Sequence, residues 1–247
     1  MKLTVVGCGD AFGAGGRLHT CFHVASKSGL FLIDCGATAL IGLRKLGLDP
    51  NAIGTIFITH LHGDHFGGLA WFLIDACHVS KRTAPLTVVG PEGIEQRFIA
   101  ATEALFPKAT TVQLRFGLTF IEYRPEEKMV VDGLAVTAFE VKHFSGAPPY
   151  AVRIEADGKV VTFTGDTEWV ETIVPAAAGA DLFIAECYQY DVKLKFHLDY
   201  ETIAANLDRI GARRVLLTHM SEAMLARRRD IAREDCICAE DGMTLEI

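Results

Sequence analysis

The sequence predicts a layered α/β protein, with two β-sheets packed face to face and helices outside, forming a single domain over residues 1–247. Two observations carry that expectation. Short β-branched and apolar runs alternate with helix-like segments along the chain, and each half runs from strands into helices, a pattern that two stacked sheets accommodate. No linker, low-complexity stretch or short repeat interrupts it. Of the 247 residues 50% are hydrophobic, enough for one sizeable core, whereas the length is short for two ordinary domains.

Leu3 to Val6 reads as the first strand and runs into the glycine-dense stretch Gly7 to Gly16, where the backbone must turn sharply or approach something closely. This stretch lacks the GxGxxG spacing and the following helix of a dinucleotide site. It is expected as a loop over a site rim, with Arg17 and His19 within reach of a substrate anion. Cys21 to Ser26 and Leu30 to Asp34 pair across Lys27-Ser28-Gly29, and Thr38 to Leu46 is helical. Thr55 to Thr59 is a buried strand, and a helix from Asp64 to Ala76 follows, with Gly67 and Gly68 letting its first turn pack closely.

Leu86 to Pro91 is a strand entering a turn, and Glu92 to Phe106 a helix. Leu118 to Tyr123 and Leu134 to Val141 are strands separated by a charged turn at Pro125-Glu126-Glu127-Lys128. Tyr150 to Glu155 and Lys159 to Thr164 pair through Ala156-Asp157-Gly158. Asp181 to Ala185 and Arg213 to Leu217 are strands flanking an amphipathic helix from Tyr200 to Ile210. The tail carries a solvated basic helix face at Arg227-Arg228-Arg229 and a last strand near Met243 to Ile247.

Acidic residues exceed basic ones by 31 to 24, a net charge of −7, which argues against a broad nucleic-acid-binding face. No signal peptide is visible, and no apolar run approaches the roughly 20 residues that span a bilayer. The seven cysteines are scattered, with no paired CxxC knuckles, and read as reduced thiols. A cytoplasmic protein with no membrane association is expected.

The chemistry concentrates in His60-Leu61-His62-Gly63-Asp64-His65, three imidazoles and a carboxylate delivered by the strand before them. Neutral imidazole and carboxylate are the donors that Zn²⁺ and similar ions accept. Six residues cannot readily surround one ion with all four groups, so two metals sharing the cluster, completed from later loops, is the more economical arrangement. Three later strands end on suitable donors: His143 before a Ser145-Gly146-Ala147-Pro148-Pro149 loop, Asp166 within Gly165-Asp166-Thr167, and His219 within Thr218-His219. Asp34, closing its own hydrophobic strand, is a candidate carboxylate for orienting a ligating histidine, or else a helix cap. His23 and His78 are expected as a core and a helix-end histidine.

This combination resembles the metallo-β-lactamase superfamily, whose HxHxDH motif stands here as His60 to His65 with later ligands matched by His143, Asp166 and His219. The resemblance covers Leu3 to Ile247. It implies a four-layer αββα sandwich with metals at one edge of the two sheets. One site would use His60, His62 and His143, the other Asp64, His65 and His219, and Asp166 would bridge them. Within the superfamily the chain is most similar to ribonuclease Z and its relatives, including cyclic-phosphate phosphodiesterases. Glu186 and His197 match the glutamate and histidine of their HEAT and HST loops, although the flanking alanine, serine and threonines are absent. The arm with which ribonuclease Z grips tRNA would fall between His143 and Asp166. Those residues are only 166 − 143 = 23 positions apart, and a hairpin occupies the interval.

The expectation is therefore a metal-dependent hydrolase, with two divalent ions, zinc in the first instance and Mn²⁺ or Fe as substitutes, acting on a phosphodiester. Asp64 would hold the attacking water as well as a metal. His197 would serve the leaving oxygen, oriented by Glu186; the competing role for His197 is a surface histidine capping the helix at Tyr200. A small-molecule substrate is expected in place of tRNA, and a homodimer is allowed. Gly13 to His19, Ser145 to Tyr150 and Trp169 are expected to shape the pocket. The rival expectations are hydrolysis of a lactone, thioester or sulfate ester, and a non-hydrolytic metal-binding redox or sensor protein.

Overall fold

The computed structural model describes residues 1–247, and it contains no helix long and apolar enough to cross a membrane. The first half builds one seven-stranded sheet from β1 (Lys2–Gly7), β2 (Cys21–Ser26), β3 (Gly29–Ile33), β4 (Ile53–Phe57), β5 (Leu86–Gly90) and β6 (Leu118–Glu122). The second half builds the other from β7 (Met129–Val131), β8 (Leu134–Glu140), β9 (Tyr150–Ala156), β10 (Lys159–Phe163), β11 (Leu182–Glu186), β12 (Val215–Thr218) and β13 (Cys236–Cys238). The C-terminal β14 (Thr244–Glu246) crosses back to pair with β1, giving the orders β14-β1-β2-β3-β4-β5-β6 and β13-β12-β11-β10-β9-β8-β7.

The central strands are apolar on both faces because helices cover each sheet on its outer side, whereas the edge strands β6 and β14 are partly exposed. Between the sheets lie Phe22, Phe31 and Ile33 from one and Val152, Ile154, Val161 and Phe163 from the other, with Phe22 and Phe163 meeting edge to face at 5.3 Å. On the outer face of the first sheet, α1 (Ala39–Lys45), α3 (Gly68–His78) and α4 (Ile94–Leu105) bury Leu43, Leu69, Phe72, Leu73, Ile94 and Phe98 against Leu32, Ile56 and Val88. On the outer face of the second, α5 (Ile173–Ala177), α6 (Tyr200–Ile210) and α7 (Glu222–Arg227) bury Ile173, Ile203, Leu207 and Met224 against Phe183 and Leu217. The αββα layering expected of the chain is the one it adopts.

Several local expectations differ. The helix expected over Asp64 to Ala76 is two, α2 (Gly63–Phe66) and α3, and Asp64 caps neither because its carboxylate turns into the site. The α3 start packs so tightly on Gly36 that a Cβ on Gly68 would lie 2.2 Å from the Gly36 carbonyl oxygen. Strands β7 and β13 are only three residues long, and helix α5 only five, too short to show a period. The arginine run ends α7 and continues as a short 3₁₀ turn, Arg228–Asp230, instead of presenting a helix face.

Pairing directions bring the chemistry to one edge. β8 and β10 are each antiparallel to β9, and β10, β11 and β12 are mutually parallel. All four therefore end on the same edge of their sheet, delivering His143, Asp166, Glu186 and His219 there. In the first sheet the parallel pair β3 and β4 delivers Asp34 and His60. Carboxyl ends of parallel strands are where α/β sheets open a crevice.

Candidate metal centre

His60, His62 and His143 offer one group of donor atoms and Asp64, His65, Asp166 and His219 a second, with the atoms of each group within 4.8 Å of one another. His62 Nδ1 and His143 Nε2 stand 3.0 Å apart. In the second group, Asp64 Oδ2 is 3.1 Å from His219 Nε2 and 3.3 Å from His65 Nε2. Asp166 faces both groups: Oδ1 is 3.2 Å from His65 Nε2, and Oδ2 is 3.4 Å from His219 Nε2, 3.8 Å from His60 Nε2 and 3.9 Å from His143 Nε2. A third group, Asp166, Glu186, His197 and His219, overlaps the second.

Backbone geometry aims these side chains. His219 leaves β12 with φ 58°, a left-handed turn that is uncommon for a non-glycine residue, and its N–H donates to the Cys8 carbonyl at 3.0 Å. Gly165, with φ 59°, lets β10 turn beside Thr59, where a Cβ would come within 2.9 Å of the Thr59 Cβ. Asp34 also sits at positive φ, 59°. Fully buried, it accepts from Thr59 N–H at 2.7 Å, from the Thr59 hydroxyl at 2.8 Å and from His65 Nδ1–H at 2.6 Å. It orients a histidine and caps no helix. With its proton on Asp34, the Thr59 hydroxyl accepts from His60 Nδ1–H at 3.1 Å. The Nε2 atoms of both His60 and His65 are thereby turned into the cluster, where each can bind a cation once it carries no proton.

Those two Nε2 atoms and Asp166 Oδ1 are buried without a hydrogen-bond partner. Buried polar atoms are normally satisfied, and orphans concentrated among imidazole and carboxylate groups fit a missing cation. The electrostatics agree. Burial opposes a charge on Asp166 and Asp64, but the surrounding imidazoles hold both carboxyls well below their usual range. Burial alone would lower His65 and His219; the facing carboxylates instead raise His65 well above its ordinary value and His219 to about 9. His60, buried and crowded by His65, is lowered. In the metal-free cluster, protons on His65 and His219 neutralise the carboxylates, and a divalent cation would take their place. The residues present fit divalent metal.

Beside the cluster, Glu186 Oε2 accepts from Thr167 N–H at 2.8 Å and Oε1 from His197 Nδ1–H. Burial lowers His197, but its Glu186 partner lifts it above the ordinary value. The His197 ring stands 5.2 Å from that of His143 and stacks on Tyr188 at 4.7 Å. His197 does not cap α6; Asp199 does, accepting from Thr202 N–H at 2.9 Å. A pocket of about 280 Å³ is lined by Ala11, Phe12, His62, Gly63, Asp64, His143, Asp166, Tyr188, His197 and His219. The glycine-dense loop thus forms the rim through Ala11 and Phe12. Arg17 lies outside the pocket, and His19 lines a second hollow that shares Ala11, Gly63 and Asp64 with it. Trp169 borders a third hollow on the far side of His197. Thr59, Thr167, Tyr188 and Phe12 carry no motif; only their neighbours in space mark them.

The αββα layers and the donor cluster at the sheet edge define a metallo-β-lactamase-fold, metal-dependent hydrolase of the ribonuclease Z-like branch. Within that class, the family model described as anti-Pycsar protein Apyc1 matches residues 1–237, and the chain belongs to that family. It is 27% identical to the ribonuclease Z of Lachnoclostridium phytofermentans, over 85% of this chain and 84% of that one. To the ribonuclease Z of Methanosarcina acetivorans it is 25% identical over an alignment of 306 positions that covers 100% of this chain and 98% of the relative. Human tRNase Z, short form (ELAC1), superposes with a TM-score of 0.79 at 26% identity, covering 100% of this chain and 99% of that one.

Proposed function

We propose that the protein hydrolyses a small phosphodiester, a cyclic phosphate diester above all, at a centre of two divalent ions, zinc in the first instance. The observation that carries this reading is the Glu186–His197 pair standing beside the donor cluster across a single pocket of about 280 Å³, a size suited to one small ligand. His60, His62 and His143 would hold one ion and Asp64, His65 and His219 the other, with Asp166 between them. Bound there, the ions supply the Lewis acidity that lowers the pKa of water and polarises a phosphoryl oxygen.

The chain's own residues do the rest. Asp64 accepts a hydrogen bond from the attacking water and fixes its direction. His197, with Nδ1–H committed to Glu186, keeps Nε2 for passing a proton to the leaving oxygen. Tyr188 stacks on His197 and restrains the ring, and Phe12, exposed at the rim, can cover the organic part of the ester.

What the chain lacks also supports a small substrate. The alignment to the Methanosarcina relative leaves at least 306 − 247 = 59 positions without a counterpart here. Between His143 and Asp166 the chain forms only β9 and β10 and their turns. A tRNA-gripping arm has no room there, so a small molecule, not tRNA or a membrane, is the partner of this reading. Cytoplasmic location belongs to it, a homodimer is compatible with it, and the anti-Pycsar role in the family's name is carried to this chain as part of it.

Elemental analysis of the purified protein, coupled to a screen of cyclic and linear phosphodiesters, precursor tRNA, a lactone and a thioester, tests the proposal. Two equivalents of metal and turnover of a small phosphodiester are expected. A preference for the lactone, the thioester or tRNA would refute the substrate class, and a coloured, iron-containing protein without hydrolytic activity would refute the reaction.

A further inference from the structure

Phe196 turns both of its backbone polar groups inward. Its carbonyl accepts from His143 Nδ1–H at 3.0 Å, and its N–H donates to Glu168 Oε2 at 3.0 Å. It does this with φ at 73°, a left-handed conformation that bulky residues rarely adopt. The five residues before it, Asp191 to Lys195, are exposed and belong to no helix or strand, and the residue after it is His197. The placement of this stretch therefore depends on what holds Phe196.

The bonds around Phe196 close into a circuit. Glu168 N–H donates to the carbonyl of Lys142, the residue before His143, at 3.2 Å. Lys142 N–H donates to the Thr167 hydroxyl at 3.0 Å, and Thr167 N–H donates to Glu186 Oε2 at 2.8 Å. Glu186 Oε1 receives His197 Nδ1–H, and His197 is joined to Phe196 by the chain. His143 and His197, which the proposed mechanism uses for different tasks, are thus two corners of one frame.

We propose that Glu168 is a positioning residue that acts through Phe196. By holding the Phe196 amide it keeps the Phe196 carbonyl on His143 Nδ1–H, which leaves His143 Nε2 bare toward the cluster, and it sets where His197 begins. The inference rests on the reading of His143 as a metal ligand. A neutral imidazole carries one N–H, so the partner at Nδ1 decides whether Nε2 can donate to a cation. Glu168 also pairs with Lys142 at 2.8 Å. That contact joins side chains 57% and 27% exposed, a setting in which ion pairs contribute little.

Two variants separate the amide contact from the charge. Glu168→Ala removes the acceptor for Phe196 N–H. Glu168→Gln loses the charge and keeps an oxygen in its place. Zinc affinity is read by competition with a chromophoric chelator, and amide hydrogen exchange is followed over residues 194–198. Glu168→Ala should bind one of its zinc ions more weakly, with the roughly 10- to 100-fold loss that follows removal of a ligating histidine's direct partner as the upper bound, because the Phe196 carbonyl remains but is no longer held. Zinc should slow exchange at 194–198 in the wild-type protein and fail to do so in Glu168→Ala, and Glu168→Gln should restore both. Wild-type zinc affinity in Glu168→Ala overturns the inference, as does a Glu168→Gln protein as weak as the alanine variant, which would assign the effect to charge. If the wild-type protein binds no zinc, the metal-centre reading fails and this inference with it; an unaffected Glu168→Ala beside a zinc-binding wild type fails this inference alone.

Discussion

Asp34→Asn changes one atom and leaves three donors, the Thr59 N–H, the Thr59 hydroxyl and His65 Nδ1–H, contending for one acceptor oxygen. Asp34 is fully buried, with Oδ1 on Thr59 N–H at 2.7 Å and Oδ2 on His65 Nδ1 at 2.6 Å. If the asparagine keeps its oxygen on the Thr59 amide, its NH₂ faces His65 Nδ1. The ring must then carry its proton on Nε2, where it cannot bind a cation. If the amide flips, the oxygen serves His65 but NH₂ meets the Thr59 N–H, leaving a buried donor unsatisfied at about 1–3 kcal/mol. Either way metal binding weakens, and the typical loss for such a partner is about 10- to 100-fold. At about 1.4 kcal/mol per tenfold, this is roughly 1.4–2.8 kcal/mol, the same range as the flip, so neither rotamer escapes the effect. Zinc titration against a chromophoric chelator gives the affinity, and urea unfolding in EDTA gives the metal-free stability. An Asp34→Asn protein with wild-type zinc affinity and stoichiometry would refute the tautomer argument.

Other outcomes follow from the same geometry. His62→Ala should lose metal by elemental analysis and lose turnover with it; unchanged metal content would contradict the ligand assignment. His197→Ala should keep its metal while turnover falls by about 10²–10⁴-fold, the usual contribution of a positioned acid, with a smaller loss for p-nitrophenolate, which leaves without protonation. Wild-type turnover on a poor leaving group would remove the role. Because the carboxylates raise His65 well above its usual value and His219 to about 9, both imidazoles are protonated near neutral pH in the metal-free protein. Zinc must displace those protons, so its affinity should rise with pH through the neutral range and through about 9, where His219 loses its proton. Calorimetry at pH 7.5 in buffers of different ionisation enthalpy should show proton release, and a binding heat independent of buffer would count against it. Gly165→Ala forces a Cβ to within 2.9 Å of Thr59 in a left-handed backbone and should destabilise the protein by about 1–3 kcal/mol in urea.

How much was legible without coordinates follows the length of the elements. Tyr200 to Ile210 is the helix its periodicity marks, and the β9–β10 hairpin lies where Ala156-Asp157-Gly158 announces it. Strands β7 and β13 and helix α5 are too brief for a period to emerge, and their neighbours stabilise them. The residues His60 to His65, His143, Asp166 and His219 stand out because histidine and aspartate at strand ends are chemically conspicuous. Thr59, Thr167, Glu168 and Phe196 are ordinary in sequence; what distinguishes them is a hydrogen bond to a residue far along the chain.

The sequence by itself determined the layered class and the candidate donors, because composition, periodicity and spacing are local properties. Only the tertiary structure decided that Asp34 serves His65 and not a helix, that Asp199 caps α6 and frees His197 for the pocket, and that Arg17 stays outside it. These outcomes depend on which strand ends share an edge and which ring nitrogen finds which partner. Strand pairing between segments as much as 246 − 2 = 244 residues apart, that of Lys2 in β1 with Glu246 in β14, is settled only when the chain has folded.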